Sequence, residues 1–172
     1  FMYRAVKDGW LGEIMEVDAM MGKMASASLR SELARYEGGG MFELACHLVD
    51  SVVHVLGKPK AVRGFQRDSQ GDGIRDNQLA VLEYEKATAT VRSNHRDVFG
   101  FSRRRFQIAG DNGVIEIRPM EPGNQLELSL SEAKGGYKRG TQTVKLSDRK
   151  GGRYDGEFAD LAKVIRGEKT FD

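Results

Sequence analysis

The stretch Gly38-Gly39-Gly40-Met41-Phe42-Glu43-Leu44-Ala45-Cys46-His47-Leu48-Val49-Asp50-Ser51-Val52-Val53-His54-Val55-Leu56-Gly57-Lys58-Pro59 sets the reading of the whole chain. Its apolar periodicity predicts one helix over 41–56. A glycine cluster breaks the chain before it, and glycine followed by proline stops it. Glu43, His47, Asp50 and His54 are spaced four, three and four apart, so they fall on one narrow stripe of an ideal helix. Apart from Ser51, every other position from 41 to 56 is apolar or cysteine. A helix with so little polar surface is expected to be buried on most sides, with its N-terminal half at the mouth of a pocket.

Glu43 lies in the first helical turn, where the helix dipole favours a negative charge. A carboxylate beside an imidazole favours the imidazolium and fixes its tautomer, and such a histidine can exchange a proton near neutral pH. Two readings of Glu43 and His47 stay open: a site of chemistry or ligand binding, and a structural ion pair on a part-exposed stripe. A metal site formed by Glu43, His47 and Asp50 is a third. It lacks another histidine at ligand spacing and the His-Glu-x-x-His signature, so no metal is expected. His54 and Asp50 read as structural residues near the site, Asp50 capping a loop or pairing with an arginine. Cys46 reads as a buried, inert thiol. His95 follows the end of a strand and is a candidate for lining the same pocket. Gly39 and Gly40 lack the ending of a phosphate loop and the spacing of a dinucleotide fingerprint. They read as a close approach of backbone to ligand or to a neighbouring chain.

Outward from this helix, residues 1–7 have helical spacing and residues 11–21 read as a strand. Residues 22–36 are polar and ambiguous, with a short helix around 29–34. Residues 61–65 read as a strand and 67–75 as a loop, open to motion. The second half reads as a sheet. Its strands are 78–84 and 87–93 around a turn at Glu85-Lys86, then 104–109 and 114–118 around Gly110-Asp111-Asn112-Gly113, then 125–130 and 141–146. Helical spacing returns over 155–166, with Phe158, Leu161, Ala162 and Ile165 on one face. The order predicts a single α+β domain: an open, predominantly antiparallel sheet with helices packed on one face. Leu79 and Val81 point to one side of their strand, and Ala80, Leu82 and Tyr84 to the other. With both sides partly apolar, a sheet face used for subunit packing is expected.

Composition narrows the function classes. The chain has 172 residues, 40% apolar and 30% charged, which suits one folded domain. Lys and Arg number 27 against 25 Asp and Glu, so the net charge of +2 gives no field for a nucleic-acid partner. Arg103-Arg104-Arg105 is the nearest approach to one, and reads as the solvated start of a strand or a subunit contact. One cysteine rules out an internal disulfide. No run reaches the roughly 18 apolar residues of a membrane span, and a cytoplasmic protein is expected. A chain that starts with Phe1 inside a periodic pattern is expected to be a piece of something longer.

The central stretch resembles the signature helix of the C-terminal domain of the Gfo/Idh/MocA oxidoreductases, which has a glycine cluster and then Asp-x-Gly-x-His-x-x-Asp. Here that pattern stands as Glu43-Leu44-Ala45-Cys46-His47-Leu48-Val49-Asp50, with Glu43 for Asp and Ala45 for Gly. Gly9-Trp10-Leu11-Gly12-Glu13-Ile14 resembles the lead into that domain's first strand. Residues 108–116 resemble a hairpin of its sheet, and residues 154–167 its closing Phe-x-x-x-Ile-x-Gly helix. The resemblance implies a dihydrodipicolinate-reductase-like C-terminal domain over 1–172, the substrate-binding and oligomerisation part of a two-domain chain. It further implies a Rossmann domain that precedes it, binds NAD or NADP and supplies a lysine; none of these cofactors is expected to bind the fragment alone. His47 would be the acid/base for a substrate hydroxyl, Glu43 would orient and charge it, and Gly39, Gly40 and His95 would face the substrate. The implied activity is hydride transfer at a hydroxyl or carbonyl carbon of a sugar, polyol or related compound. The implied partners are a small hydroxylated substrate, the Rossmann domain and further copies of the chain, with no nucleic acid and no membrane. A non-catalytic oligomerisation or ligand-binding domain of the same fold is the alternative.

Overall fold

The computed structural model describes residues 1–146, 151–152 and 154–170. The described residues form six helices and eight strands. Helix α1 (Met2–Lys7) leads into β1 (Ile14–Gly22), then α2 (Ala27–Leu33), α3 (Gly39–Glu43) and α4 (Cys46–Leu56). Strands β2 (Ala61–Arg67), β3 (Asn77–Glu83) and β4 (Thr88–Asn94) follow. A short α5 (Gly100–Arg103) precedes β5 (Arg105–Gly110), β6 (Gly113–Ile117), β7 (Gln125–Leu130) and β8 (Gly140–Lys145), and α6 (Asp155–Ile165) comes last. The strands form one sheet in the order β2-β3-β4-β1-β5-β6-β7-β8. Only β1 and β4 run parallel; every other neighbouring pair is antiparallel. The expected α+β architecture is present.

Period-two patterning explains the layering. Register places Leu82, Ala89, Val17, Ile108, Ile115 and Leu128 in one row across six strands. All six are at most 3% exposed. They share a core with Leu44, Ala45, Leu48 and Val52 from the helical side. Each large apolar side chain buried this way contributes about 1.5–3 kcal/mol. The row on the opposite face reads Arg63, Val81, Thr90, Asp18, Gln107, Glu116, Glu127 and Thr143. It is almost wholly polar, as a face turned to water should be. The apolar exceptions gather at the β2 end, where Phe65 pairs with Leu79 and stands 56% exposed. The two-sided apolar character expected for β3 is thus resolved: helices cover Ala80 and Leu82, while Leu79 and Val81 lie on the open face.

Turn chemistry behaves as its residues dictate. Gly110 opens the β5–β6 hairpin, where an added Cβ would lie 2.3 Å from the Leu11 carbonyl. The Asn112 amide donates to the Trp10 carbonyl at 2.9 Å and ties that hairpin to the segment leading into β1.

The predicted single helix over 41–56 is two helices. α3 begins earlier, at Gly39, and ends at Glu43, and α4 starts at Cys46. Between them the Ala45 N–H reaches back five residues to the Gly40 carbonyl, at 3.3 Å, beside the Leu44 bond to the same oxygen at 3.0 Å. This shared acceptor interrupts the regular ladder between the two helices. The pair is also less enclosed than expected, since Phe42, Cys46 and Val53 are exposed. α6 forms as predicted, but Phe158, Leu161 and Ile165 stay exposed.

Candidate active site at the helix break

β1 and β4 are parallel neighbours, so the residues following each emerge at the same edge of the sheet. Lys23 follows β1 and His95 follows β4. α3 lies over that edge and ends on Glu43. The Glu43 carboxylate spans both: Lys23 Nζ donates to Oε1 at 2.7 Å, and His95 Nε2 meets Oε2 at 2.7 Å. The Glu43 side chain keeps 26% of its surface exposed and Lys23 19%, while His95 has none.

Nδ1 of His95 is buried with no hydrogen-bond partner among the described residues. A proton there would be a buried donor without an acceptor, so the geometry fits the tautomer that carries its proton on Nε2 and donates to Glu43. Partial burial by itself pushes the Glu43 carboxyl upward. The hydrogen bonds and charge of Lys23, then of His95, outweigh that and hold it below its ordinary value of 4.5.

Glycines make this arrangement possible. A Cβ on Gly40 would lie 2.3 Å from His95 Nδ1, and one on Gly39 would lie 2.4 Å from the Arg75 carbonyl. The close backbone approach expected at these glycines is therefore to the chain's own residues. α3 is pinned from below as well. Gln78 accepts from the Met41 N–H at 2.6 Å and donates to the Gly38 carbonyl at 3.0 Å, and Ser93 donates to the Gly40 carbonyl at 3.0 Å.

The predicted stripe divides at the helix break. Both oxygens of Glu43 are engaged by Lys23 and His95, so its expected pairing with His47 is replaced. His47 stands exposed on the first turn of α4, and its ring has no hydrogen-bond partner among the described residues. His95 is brought to the site but sits behind Glu43, fully enclosed. Asp50 is exposed, without the arginine or loop partner expected for it among the described residues. His54 packs its ring on Tyr3 at 4.1 Å, a structural contact. Cys46 is exposed, contrary to the expected buried thiol.

Sequence reasoning missed Lys23 and a supporting clamp. Arg30 on α2 donates to Asp72 at 2.6 and 2.8 Å and to the fully buried Asp76 at 3.1 Å. Asp76 also accepts from the Ser69 N–H and hydroxyl, and its carbonyl accepts the His95 N–H at 2.8 Å. The loop expected to be open to motion is a pinned strap, with Asp68 accepting from the N–H groups of Gln70, Gly71 and Gly73. The density of Asp and Gly in 68–76 was the available signal. Arg103, Arg104 and Arg105 are spent on Asp97, Glu121 and Asp18, one acid each.

Among the described residues, no three His, Cys, Asp or Glu side chains converge to hold a metal ion, and no helix is long and apolar enough to cross a membrane.

Known proteins share this architecture. The structure of aldose-aldose oxidoreductase from Caulobacter crescentus complexed with glycerol is similar at a TM-score of 0.79 and 19% identity, over 97% of this chain and 50% of that one. An inositol dehydrogenase homolog from Azotobacter vinelandii, complexed with NADH and myo-inositol, is similar at 0.69 and 18%, over 83% and 38%. A levoglucosan dehydrogenase complexed with NADH and levoglucosan is similar at 0.68 and 19%, over 84% and 43%. The chain thus spans half or less of the length of these proteins. No curated protein matches it. The family model described as the GFO/IDH/MocA C-terminal domain matches residues 2–116, well over half of the chain. Within that range residues 38–50 sit at the helix break, residues 9–14 lead into β1 and residues 108–116 fall on the β5–β6 hairpin: the chain belongs to the C-terminal domain family of the Gfo/Idh/MocA oxidoreductases.

Proposed function

We propose that the chain is the substrate-side domain of an NAD- or NADP-dependent oxidoreductase that interconverts a hydroxyl and a carbonyl carbon on a sugar, polyol or related compound. The observation that carries this reading is the part-exposed Glu43 carboxylate, locked between Lys23 and enclosed His95, at the break before exposed His47. Family membership supports it, as do the sugar and polyol ligands named for the similar structures.

The nicotinamide would take up or supply the hydride, and it belongs in a separate dinucleotide-binding domain of the parent. This chain's residues would do the proton work. His47 accepts the hydroxyl proton when a carbonyl forms and returns it in the reverse direction. Glu43, fixed in charge and direction, offers its free lone pairs to a hydroxylated substrate. Gly39 and Gly40 contribute by letting α3 lie close to Arg75 and to His95, respectively.

The test is turnover by the full-length protein with its nicotinamide and a panel of sugars and polyols. His47→Ala should lower kcat by about 10²–10⁴-fold at neutral pH. An unchanged rate on the protein's own substrate would remove His47 from the chemistry. The uncovered apolar corner at Phe65, Leu79 and Val81 favours a second role for the same domain, association with another copy through the open sheet face.

A further inference from the structure

We propose that Lys23 is a positioning residue of this site, acting with His95 to fix the Glu43 carboxylate. The inference rests on the reading of Glu43 as part of a substrate site. It adds a residue that the signature helix does not contain and removes His47 as the partner of Glu43.

The geometry is that of a two-sided clamp. An ammonium and a ring N–H each take one carboxylate oxygen at 2.7 Å, from opposite flanks supplied by the parallel strands β1 and β4. A carboxylate has about four acceptor positions, so roughly two remain for its exposed side. The flanks themselves are held. The Lys23 N–H donates to the Asn94 carbonyl at 3.0 Å, and the His95 N–H donates to Asp76 at 2.8 Å. Beyond Lys23, α5 packs so closely that a Cβ on Gly100 would lie 2.2 Å from Gly22. The Lys23 backbone is therefore held where its side chain reaches Glu43.

Of the other charges near this edge, Arg96 donates to Ser69, and Asp97 and Arg30 are paired elsewhere. Asp97, beside Gly22, is paired with Arg103 at 2.6 Å. Arg30 is paired with Asp72 and Asp76. Lys23 and His95 are the charged or titratable groups bonded to Glu43, and His47 lies beyond the break on α4. Of the two partners, Lys23 contributes more than His95 to holding the Glu43 carboxylate.

The experiment follows the Glu43 side-chain carboxyl carbon by ¹³C NMR as pH falls, in the full-length protein. Unmodified protein should show a midpoint below 4.5, and Lys23→Met should raise it by about one pH unit. Lys23→Arg should keep it low. A midpoint at or above the ordinary value in unmodified protein, or one unmoved by Lys23→Met, overturns the proposal. Should Lys23→Met fold poorly, Lys23→Gln and the unmodified midpoint decide it. Turnover at pH 7 should fall about tenfold in Lys23→Met and recover in Lys23→Arg, as misplacement of a site group predicts. A titration that shifts in a protein with no nicotinamide-dependent activity keeps the clamp and sinks the proposed function instead.

Discussion

At the scale of the residue, Gly40 is decisive because the site has no room for anything larger. Its α-carbon faces the His95 ring, and a methyl group there would lie 2.3 Å from Nδ1 and 2.6 Å from the neighbouring ring carbon. The ring cannot retreat, since it is enclosed and bonded to Glu43 on its far side. Gly40→Ala should therefore destabilise the fold by about 1–3 kcal/mol, the range for an inserted core methyl group. A urea titration should show a lower midpoint with an unchanged slope. A midpoint equal to that of the unmodified protein would show that the ring shifts freely. The sequence made Gly40 visible as a close approach, yet it did not reveal what is approached. His95 is 55 positions away, and only strand pairing brings it beneath α3. Lys23 lies only 20 positions before Glu43, and it was hidden for another reason. Its segment has no periodicity to read, and its meaning depends on β1 lying parallel to β4.

At the scale of the element, the site depends on how short pieces are held at one edge of the sheet. Helices were legible where they carried an uninterrupted pattern, as in α4 and α6. The break after Glu43 was not, because Leu44 and Ala45 keep the apolar rhythm while the backbone bonds change register. That hidden break matters, since spacing alone had placed Glu43 and His47 on one stripe. α2 and the strap at 68–76 then act as a brace behind His95, through Arg30. Removing the guanidinium with Arg30→Ala would leave Asp76 as an enclosed carboxylate with only Ser69 to satisfy it. Loss of one partner from a buried pair costs about 3–5 kcal/mol. Chemical denaturation should show a loss near the lower bound, because the Ser69 bonds remain. Hydrogen exchange at the His95 amide, which is bonded to Asp76, should speed up in the variant. Unaltered exchange there would mean that the strap is held independently of α2.

At the scale of the whole molecule, the sheet separates two tasks between its faces. The alternation that made the strands legible also assigns one face to the helical core and leaves the other polar. Its weakness is the β2 end, where the helices do not reach. All of β2 is exposed, and Phe65 stands beside Leu79 on the open face with Val81 next along β3. An apolar corner continuous with a polar sheet face is well suited to a second copy of the chain, with apolar anchors at one end and polar contacts across the rest. Ion pairs on that face, such as Asp18 with Arg105 and Arg63 with Glu83, are satisfied within the chain, so they would cost little to bring into an interface. Sedimentation equilibrium should therefore show reversible self-association. Phe65→Glu should weaken it by at least about tenfold, the effect of losing roughly 1.4 kcal/mol at an aromatic anchor. Glu43 ends α3 and His95 follows β4 beneath it, on the helical side of the sheet, so Phe65→Glu on the open face should leave the Glu43 carboxyl titration unchanged. A species that stays monomeric at high concentration, or one whose association ignores Phe65, would move the interface elsewhere.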